Sequence, residues 1–369
     1  MAKSILLLCC YKSLYGGNFI PSLCALEDEV NRRGGRIVYA FPTGSEERDW
    51  IKRLQSNNKS IKFFDFNSSS PFVFAKRLNN LVSANNIDIV HAHHVPVNCL
   101  NLYSLLHPSI RVITHLHSDF TGGTKTLKQE MLNYITYHIL SYKNNLISVS
   151  SAFTQLNPAK ITWIPNALAH YSTSDDVCVR NDFRKLINVS DDTMLLLLFG
   201  WSPTVKGLDI AVEAVSKVYE SGQNVALLIV CGREMTPNKI KGWISEHTNI
   251  KSSAPFLRYL EPMEEVFKIH EASDIMLSCS RSEGFPYSIL EALSCGKPVV
   301  TSSIAGVEWC RKYSTTYFFE SQNVSDCVAA INKACSEIYN YPNIEIAAKV
   351  KQDYSINTWV NCIIQQYQL

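Results

Sequence analysis

SEGFPYSILEALSCGKPVV, residues 282–300, compresses a loop, a helix and the start of a strand into one short segment. Pro286 suits the first helical position, where its missing N–H costs nothing. Ser288–Leu293 contains good helix formers, and Gly296 followed by Pro298 marks the stop. Val299, Val300 and Thr301 then open a strand. Glu283 therefore falls in the loop ahead of a helix N-terminus, with Glu291 about one and a half turns inside the helix. Such an N-terminus presents unpaired N–H groups and a positive dipole end, which suit phosphate or sugar oxygens. Two carboxylates beside it can accept hydrogen bonds from hydroxyls. The plain alternative is a solvated Glu283 and an ordinary exposed Glu291.

The surrounding chain, at 369 residues, is long enough for two domains. Its 46% hydrophobic and 18% charged residues exclude a disordered chain. The apolar runs Ile5–Cys10 and Met194–Phe199 are too short to span a membrane. Met1–Cys10 lacks the cleavage pattern of a signal peptide, so a cytoplasmic location is expected. Twelve scattered cysteines without a C-x-x-C pattern read as reduced thiols, with Cys9, Cys231 and Cys279 in apolar runs. Charge is uneven. Through His170 there are 17 basic and 10 acidic residues, a balance of +7, and the remainder carries −5. The two halves should therefore meet different partners.

Both halves alternate short apolar strands with helical segments, the pattern of parallel sheets covered on both faces. In the first half, strands are expected at Ser4–Cys10, Arg36–Phe41, Ile87–His91, Arg111–His117, Leu146–Val149 and Thr162–Ile164. Helices are expected at Asn18–Arg33, Pro71–Asn85 and Thr126–Lys143. The second half gives strands at Met194–Phe199, Val225–Cys231, Phe256–Leu260, Ile275–Ser278 and Pro298–Ser302. Its helices are Gly207–Ser221, Glu264–Ala272, Val324–Tyr339 and Ser355–Gln368. Two α/β domains joined near Asn166–Asp182 should leave a ligand cleft at the carboxyl ends of their strands.

Three further stretches carry candidate chemistry. In YKSLYGGNFIPSL, residues 11–23, Gly16 and Gly17 would let backbone approach a phosphate, although a plain turn reads equally well. The stretch is not G-x-G-x-x-G, which disfavours a nicotinamide dinucleotide. In FGWSPTVKGLDIAVEAV, residues 199–215, Lys206 and Gly207 stand at the start of a helix after a strand. A lysine there can neutralise a diphosphate. The third pair is DIVHAHH and ITHLHSD, where His91/His93 and His115/His117 share i, i+2 spacing and one strand face. With no acidic or cysteine partner in sequence, packing is preferred over metal binding. The absence of an Asp-x-Asp pair leaves no obvious divalent-ion clamp for phosphates.

Together these pieces resemble family-4 retaining glycosyltransferases. E-G-F-P-Y-S-I-L-E, with Glu283 and Glu291, matches their E-x7-E signature, and A-L-S-C-G-K-P-V-V matches its flank. The resemblance extends to the GG loop, D-I-V-H-A-H (88–93), V-S-S (149–151), I-P-N-A (164–167), Lys206-Gly207 and D-I-M-L-S-C-S (274–280). It implies a GT-B fold, two Rossmann-like doubly wound domains facing across a cleft. The first would span residues 1–169, with a helix at 353–369 crossing back to it, and the second residues 170–352. By the same resemblance Glu291 would bond the donor ribose. Glu283, with the loop of Gly284, Phe285 and Pro286, would hold the donor sugar or its phosphates. Lys206 would take the diphosphate, Gly16 and Gly17 would approach it, and His117 would contact the sugar and reacting centre. Relatives usually carry an arginine where this chain has Trp201, and Arg233 is the candidate replacement. Arg258 replaces a usual glycine, and I-P-N-A replaces I-P-N-G.

The function implied is transfer of a sugar from a nucleotide-sugar donor to a hydroxyl of a glycan or lipid-linked acceptor. Retention at the anomeric carbon is implied, with no metal or other cofactor. Lys52, Arg53, Lys59, Lys62, Lys125 and Lys128 could draw the first domain to an anionic membrane surface. Competing readings are a GT-B epimerase or phosphorylase, or a GT-B binding protein without catalysis.

Overall fold

Ser4–Cys9 buries every side chain from Ile5 onward, as a strand covered on both faces must. In the structure, a computed structural model describing residues 3–117, 127–154, 161–169, 177–338 and 341–369, this strand is β1. Around it lie β2 (Arg36–Pro42), β3 (Ile61–Phe64), β4 (Ile89–His93), β5 (Arg111–Leu116), β6 (Asn144–Ser148) and β7 (Ile161–Trp163). They form a seven-stranded parallel sheet ordered β3-β2-β1-β4-β5-β6-β7. A second parallel sheet contains β8 (Met194–Phe199), β9 (Val225–Val230), β10 (Leu257–Leu260), β11 (Ile275–Ser278), β12 (Val299–Ser302) and β13 (Thr316–Phe319). Its order is β10-β9-β8-β11-β12-β13. The chain divides into two compact units, Met1–Ala169 with Ile356–Leu369, and His170–Ser355.

Each sheet reverses its winding once, between β1 and β4 and between β8 and β11. Crevices open at the carboxyl ends of strands flanking such a switch, because successive crossovers leave to opposite sides. In the second unit β8 and β11 pair at Leu196↔Ile275 and Leu197↔Met276, then part. A small hollow lined by Phe199, Lys206, Ser278, Ser280 and Ser288 lies beyond.

In the first unit, Ile5, Leu7, Cys9, Ile89, Ile113 and Ile147 line one sheet face. Phe19, Ile20, Leu23, Leu26 and Val30 of helix Phe19–Arg32 cover it, at the spacing of one helical face. Trp359, Val360, Ile363, Ile364 and Tyr367 of the terminal helix Ile356–Tyr367 complete the layer. Each fully buried leucine or isoleucine there contributes about 1.5–3 kcal/mol. In the second unit, Leu208, Ala211, Val212, Val215 and Val218 of helix Leu208–Glu220 pack on β8 and β9. Fully buried Arg184 donates to the carbonyls of Ala272 (2.9 Å), Ser190 (2.8 Å) and Thr193. It also pairs with Asp274 (3.2 Å), which Arg180 holds from the other oxygen (2.6 Å).

Several boundaries differ from the expectation. The segment expected as one helix over Thr126–Lys143 is described from Leu127. It runs as an α-helix to Tyr134, a π-turn over Ile135–Ile139 and a 3-10 turn over Leu140–Lys143. Aromatic and β-branched residues crowd the turn, and Ser141 Oγ back-bonds to the Tyr137 carbonyl (2.6 Å). Pro286 is the N-cap with extended ψ, and the helix starts at Tyr287. Helices Asp49–Ser56, Val97–Leu106, Pro237–His247 and Ile344–Asp353 and strands β3 and β13 were not expected. Among the described residues no helix is long and apolar enough to cross a membrane.

Candidate functional site

Lys206 closes a one-turn helix, Pro203–Lys206, directly after β8. It does not begin the long helix, as the spacing had suggested. Gly207 follows with φ +62° and N-caps helix Leu208–Glu220. A Cβ at Gly207 would collide with the Cys279 carbonyl oxygen, so the corner demands glycine on both counts. That close approach brings Lys206 Nζ to 2.5 Å from Glu283 Oε1. Both side chains are 12% exposed, so the pair is desolvated more than a surface ion pair. Ser280 Oγ donates to the same carboxylate oxygen (2.7 Å), and Ser302 Oγ fixes the Ser280 carbonyl (2.6 Å). Trp201 is 55% exposed, with the Lys206 ammonium 5.1 Å from its ring centroid.

Residues that the sequence did not single out hold this corner. Arg281 makes a two-pronged pair with Asp209 (3.0 and 2.6 Å) and donates to the Thr204 carbonyl (2.5 Å). It thereby pins the Lys206 turn to the end of β11. The chain at Gly306 passes so close to Glu283 that a Cβ there would strike the Glu283 carbonyl oxygen. No local pattern marks either feature, because each partner is distant in sequence.

Glu291 is 6% exposed, so it is not an ordinary solvent-facing helix glutamate. Its Oε2 lies 3.6 Å from Nε2 of buried His270, an electrostatic contact longer than a hydrogen bond. Phe285 is buried and stacks on Trp309 at 4.2 Å. Its side chain anchors the loop, in which Gly284 is also buried. Arg233 is exposed on the loop after β9. Adjacent Gly232 packs against Trp201, where a Cβ would come within 2.8 Å of the Trp201 Cβ. The Arg233 loop thus neighbours the position from which the arginine is missing. Arg258 is tied to the carbonyls of Asn188, Pro255 and Leu257 and serves the backbone.

The first unit offers a second cluster at its own switch point. Gly17 has φ +52° and is exposed, while Gly16 is buried against Ile20. Tyr11 Oη donates to the Tyr15 carbonyl (2.9 Å), shaping this loop. Phe19 follows, its ring edge-on to His93 (5.3 Å), His94 (5.6 Å) and His117 (5.7 Å). His117 stacks on His94 (4.2 Å) and His115 (4.6 Å), and its Nε2 lies 2.9 Å from His93 Nδ1. His91 Nδ1 meets Tyr367 Oη of the terminal helix at 2.7 Å. Burial holds His94 down to about 4 and His115 to about 3. It pushes His91, His93 and His117 well below the usual histidine range, and neighbouring rings add to the effect.

The basic residues read as a membrane surface are partly committed elsewhere. Lys59 pairs with Glu27 (2.8 Å) and is only 18% exposed, and Lys52 pairs with Glu47 (2.8 Å). Lys62 is exposed on β3. Lys125 and the side chain of Lys128 lie outside the described residues.

The family description "Glycosyl transferases group 1" matches residues 179–349, and "Glycosyltransferase Family 4" matches residues 25–168. A Saccharomyces cerevisiae protein, the phosphatidylinositol N-acetylglucosaminyltransferase GPI3 subunit, is 27% identical over 82% of this chain and 69% of its own length. Escherichia coli lipopolysaccharide glucosyltransferase WaaG is 28% identical over 34% of this chain and 33% of its own. Among solved structures, Anabaena HepE in complex with UDP and glucose aligns over all of both chains, with TM-score 0.76 and 17% identity. The two family matches between them span most of the sequence, and the paired α/β units carry the corresponding fold: the chain belongs to the family-4 glycosyltransferases and has the GT-B architecture.

Proposed function

We propose that the protein transfers a sugar, with retention at the anomeric carbon, from a nucleoside-diphosphate sugar to a hydroxyl of a lipid-linked or glycan acceptor. The observation that carries this reading is the Lys206–Glu283 pair at the parting of β8 and β11, ahead of the Tyr287–Ser294 helix N-terminus. Departure of a nucleoside diphosphate builds negative charge on its phosphates. Lys206 and the helix N-terminal amides are placed to stabilise that charge in a partly desolvated pocket. A diphosphate arriving at Lys206 must share it with Glu283, which leaves that carboxylate open to donor hydroxyls. Glu291, deeper in the helix, accepts from the ribose. The acceptor proton passes to the leaving phosphate. With lysine as counter-charge, the step needs no divalent ion on the diphosphate.

Support for the donor class comes from HepE, solved with UDP and with UDP-glucose. Support for a lipid-anchored acceptor comes from relatives named for phosphatidylinositol and for lipopolysaccharide. Met131, Leu132, Tyr134, Ile139 and Tyr142 of the first unit are all at least half exposed, an apolar group suited to a membrane interface.

Titration calorimetry with UDP, GDP and ADP tests the donor half. One nucleotide should bind to the wild type, and Lys206→Ala should weaken it. Incubation with the matching nucleotide sugars and candidate glycolipids, without added Mg2+ or Mn2+, should then yield product whose anomeric configuration equals the donor's by NMR. Inverted product, or no nucleotide bound, would overturn the reading.

A further inference from the structure

Four ring nitrogens in the first unit are buried without a hydrogen-bond partner: His91 Nε2, His93 Nε2, and both nitrogens of His115. The three residues are at most 2% exposed, and one nitrogen from each lies within 4.8 Å of the others. The parallel register explains the convergence. His93 is paired with His115 across β4 and β5, and His91 is two residues back on the same face. The Ile164 carbonyl lies near His115, but neither of that ring's nitrogens makes a bond of normal geometry.

We propose that His91, His93 and His115 form a binding site for a divalent transition metal of the zinc class. Imidazole suits such ions, and three-histidine sets hold zinc with a fourth position left to water. A histidine that ligates through one nitrogen commonly fixes its ring by a hydrogen bond from the other. Both rings whose second nitrogen is engaged show this arrangement. His91 Nδ1 is held by Tyr367 Oη and His93 Nδ1 by His117 Nε2, so each leaves its Nε2 free for a ligand. Tetrahedral ligation at about 2.0–2.1 Å brings the nitrogens to about 3.3 Å apart. The histidine χ2 torsion is soft enough to supply the inward movement. The site lies in the first unit and does not depend on the transfer reading. It does bear on His117. A metal on His93 Nε2 leaves the His93 proton on Nδ1, which donates to His117 Nε2. His117 must then carry its own proton on Nδ1 and act as a donor.

The test uses untagged full-length protein, stripped with chelator and titrated with Co2+. A saturable one-to-one visible absorption of four-coordinate Co2+ is expected, displaced by Zn2+. In His115→Gln the apparent affinity should fall about tenfold or more. X-ray absorption on the zinc-loaded wild type supplies a measurement independent of how variants fold, and should show imidazole nitrogen scattering and no sulfur. Absence of stoichiometric binding, thiolate sulfur in the shell, or undiminished binding in a folded His115→Gln would each overturn the proposal. A crystal structure grown with Zn2+ that showed only ordered water between the three rings would do the same.

Discussion

The carboxyl ends of β8 and β11 gather charges, whereas those of β4 and β5 gather rings. Around Lys206 charges come in opposed pairs, Lys206 with Glu283 and Arg281 with Asp209. Around His117 five imidazoles share a small volume, and burial keeps them uncharged. The first cluster spans its sheet's winding switch, and the second begins on β4, which flanks the switch of its own sheet, and extends to β5. Winding therefore fixes where a site forms, while chemistry depends on which side chains reach it. Pairing lets the second unit keep charges there at a tolerable desolvation cost. The first unit avoids that cost by holding neutral rings.

The contrast can be broken most directly through stability. Arg184→Met leaves Asp274 only Arg180 and the Leu195 N–H and should cost about 3–5 kcal/mol in urea unfolding. A loss below 1 kcal/mol would mean that ion pairing does not hold the second unit. Next, Lys206→Ala should lower kcat by about 10²–10³, since the loss falls on developing phosphate charge. An unchanged kcat, read with a saturating donor, would remove Lys206 from the chemistry. Glu291→Gln should weaken nucleotide binding by about 1.5–3 kcal/mol in calorimetry, the scale of a hydrogen bond to a charged group. The control Glu246→Gln, on an exposed helix position, should leave it unchanged, and equal effects would refute the ribose role.

On the neutral side, Tyr367→Phe strips the partner from His91 Nδ1 and should cost about 1–3 kcal/mol of folding stability. If it costs more than Arg184→Met, the rings rather than the ion pairs are the costlier network. The smallest expected effect is Trp201→Ala, which removes one cation–π contact of about 0.5–1 kcal/mol and should raise the donor KM slightly. A large fall in kcat instead would give Trp201 a role in place of the missing arginine.

Much of the fold was legible because central parallel strands are continuous apolar runs. Met194–Phe199 and Ile275–Ser278 were placed to the residue. The edge strand Ile61–Phe64 was not, since it carries exposed Lys62 and has no apolar run. Helix Asp49–Ser56 was hidden by its charged surface residues, although Trp50, Ile51 and Leu54 face inward. At the site, Lys206 and Glu283 could be named from local spacing, but not their contact across 77 positions. Lys59 read as a surface charge and is instead paired with buried Glu27.

Sequence alone determined the alternation of strands and helices, the carboxylate pair flanking a helix N-terminus, and the likeness to a sugar-transferring family. These depend on short-range periodicity and on motifs whose residues are close in the chain. Tertiary structure decided which charges neutralise one another, that Glu291 is buried, and that three buried histidines come together. Burial and pairing arise from strand register and crossover winding, which join residues that no local window contains together.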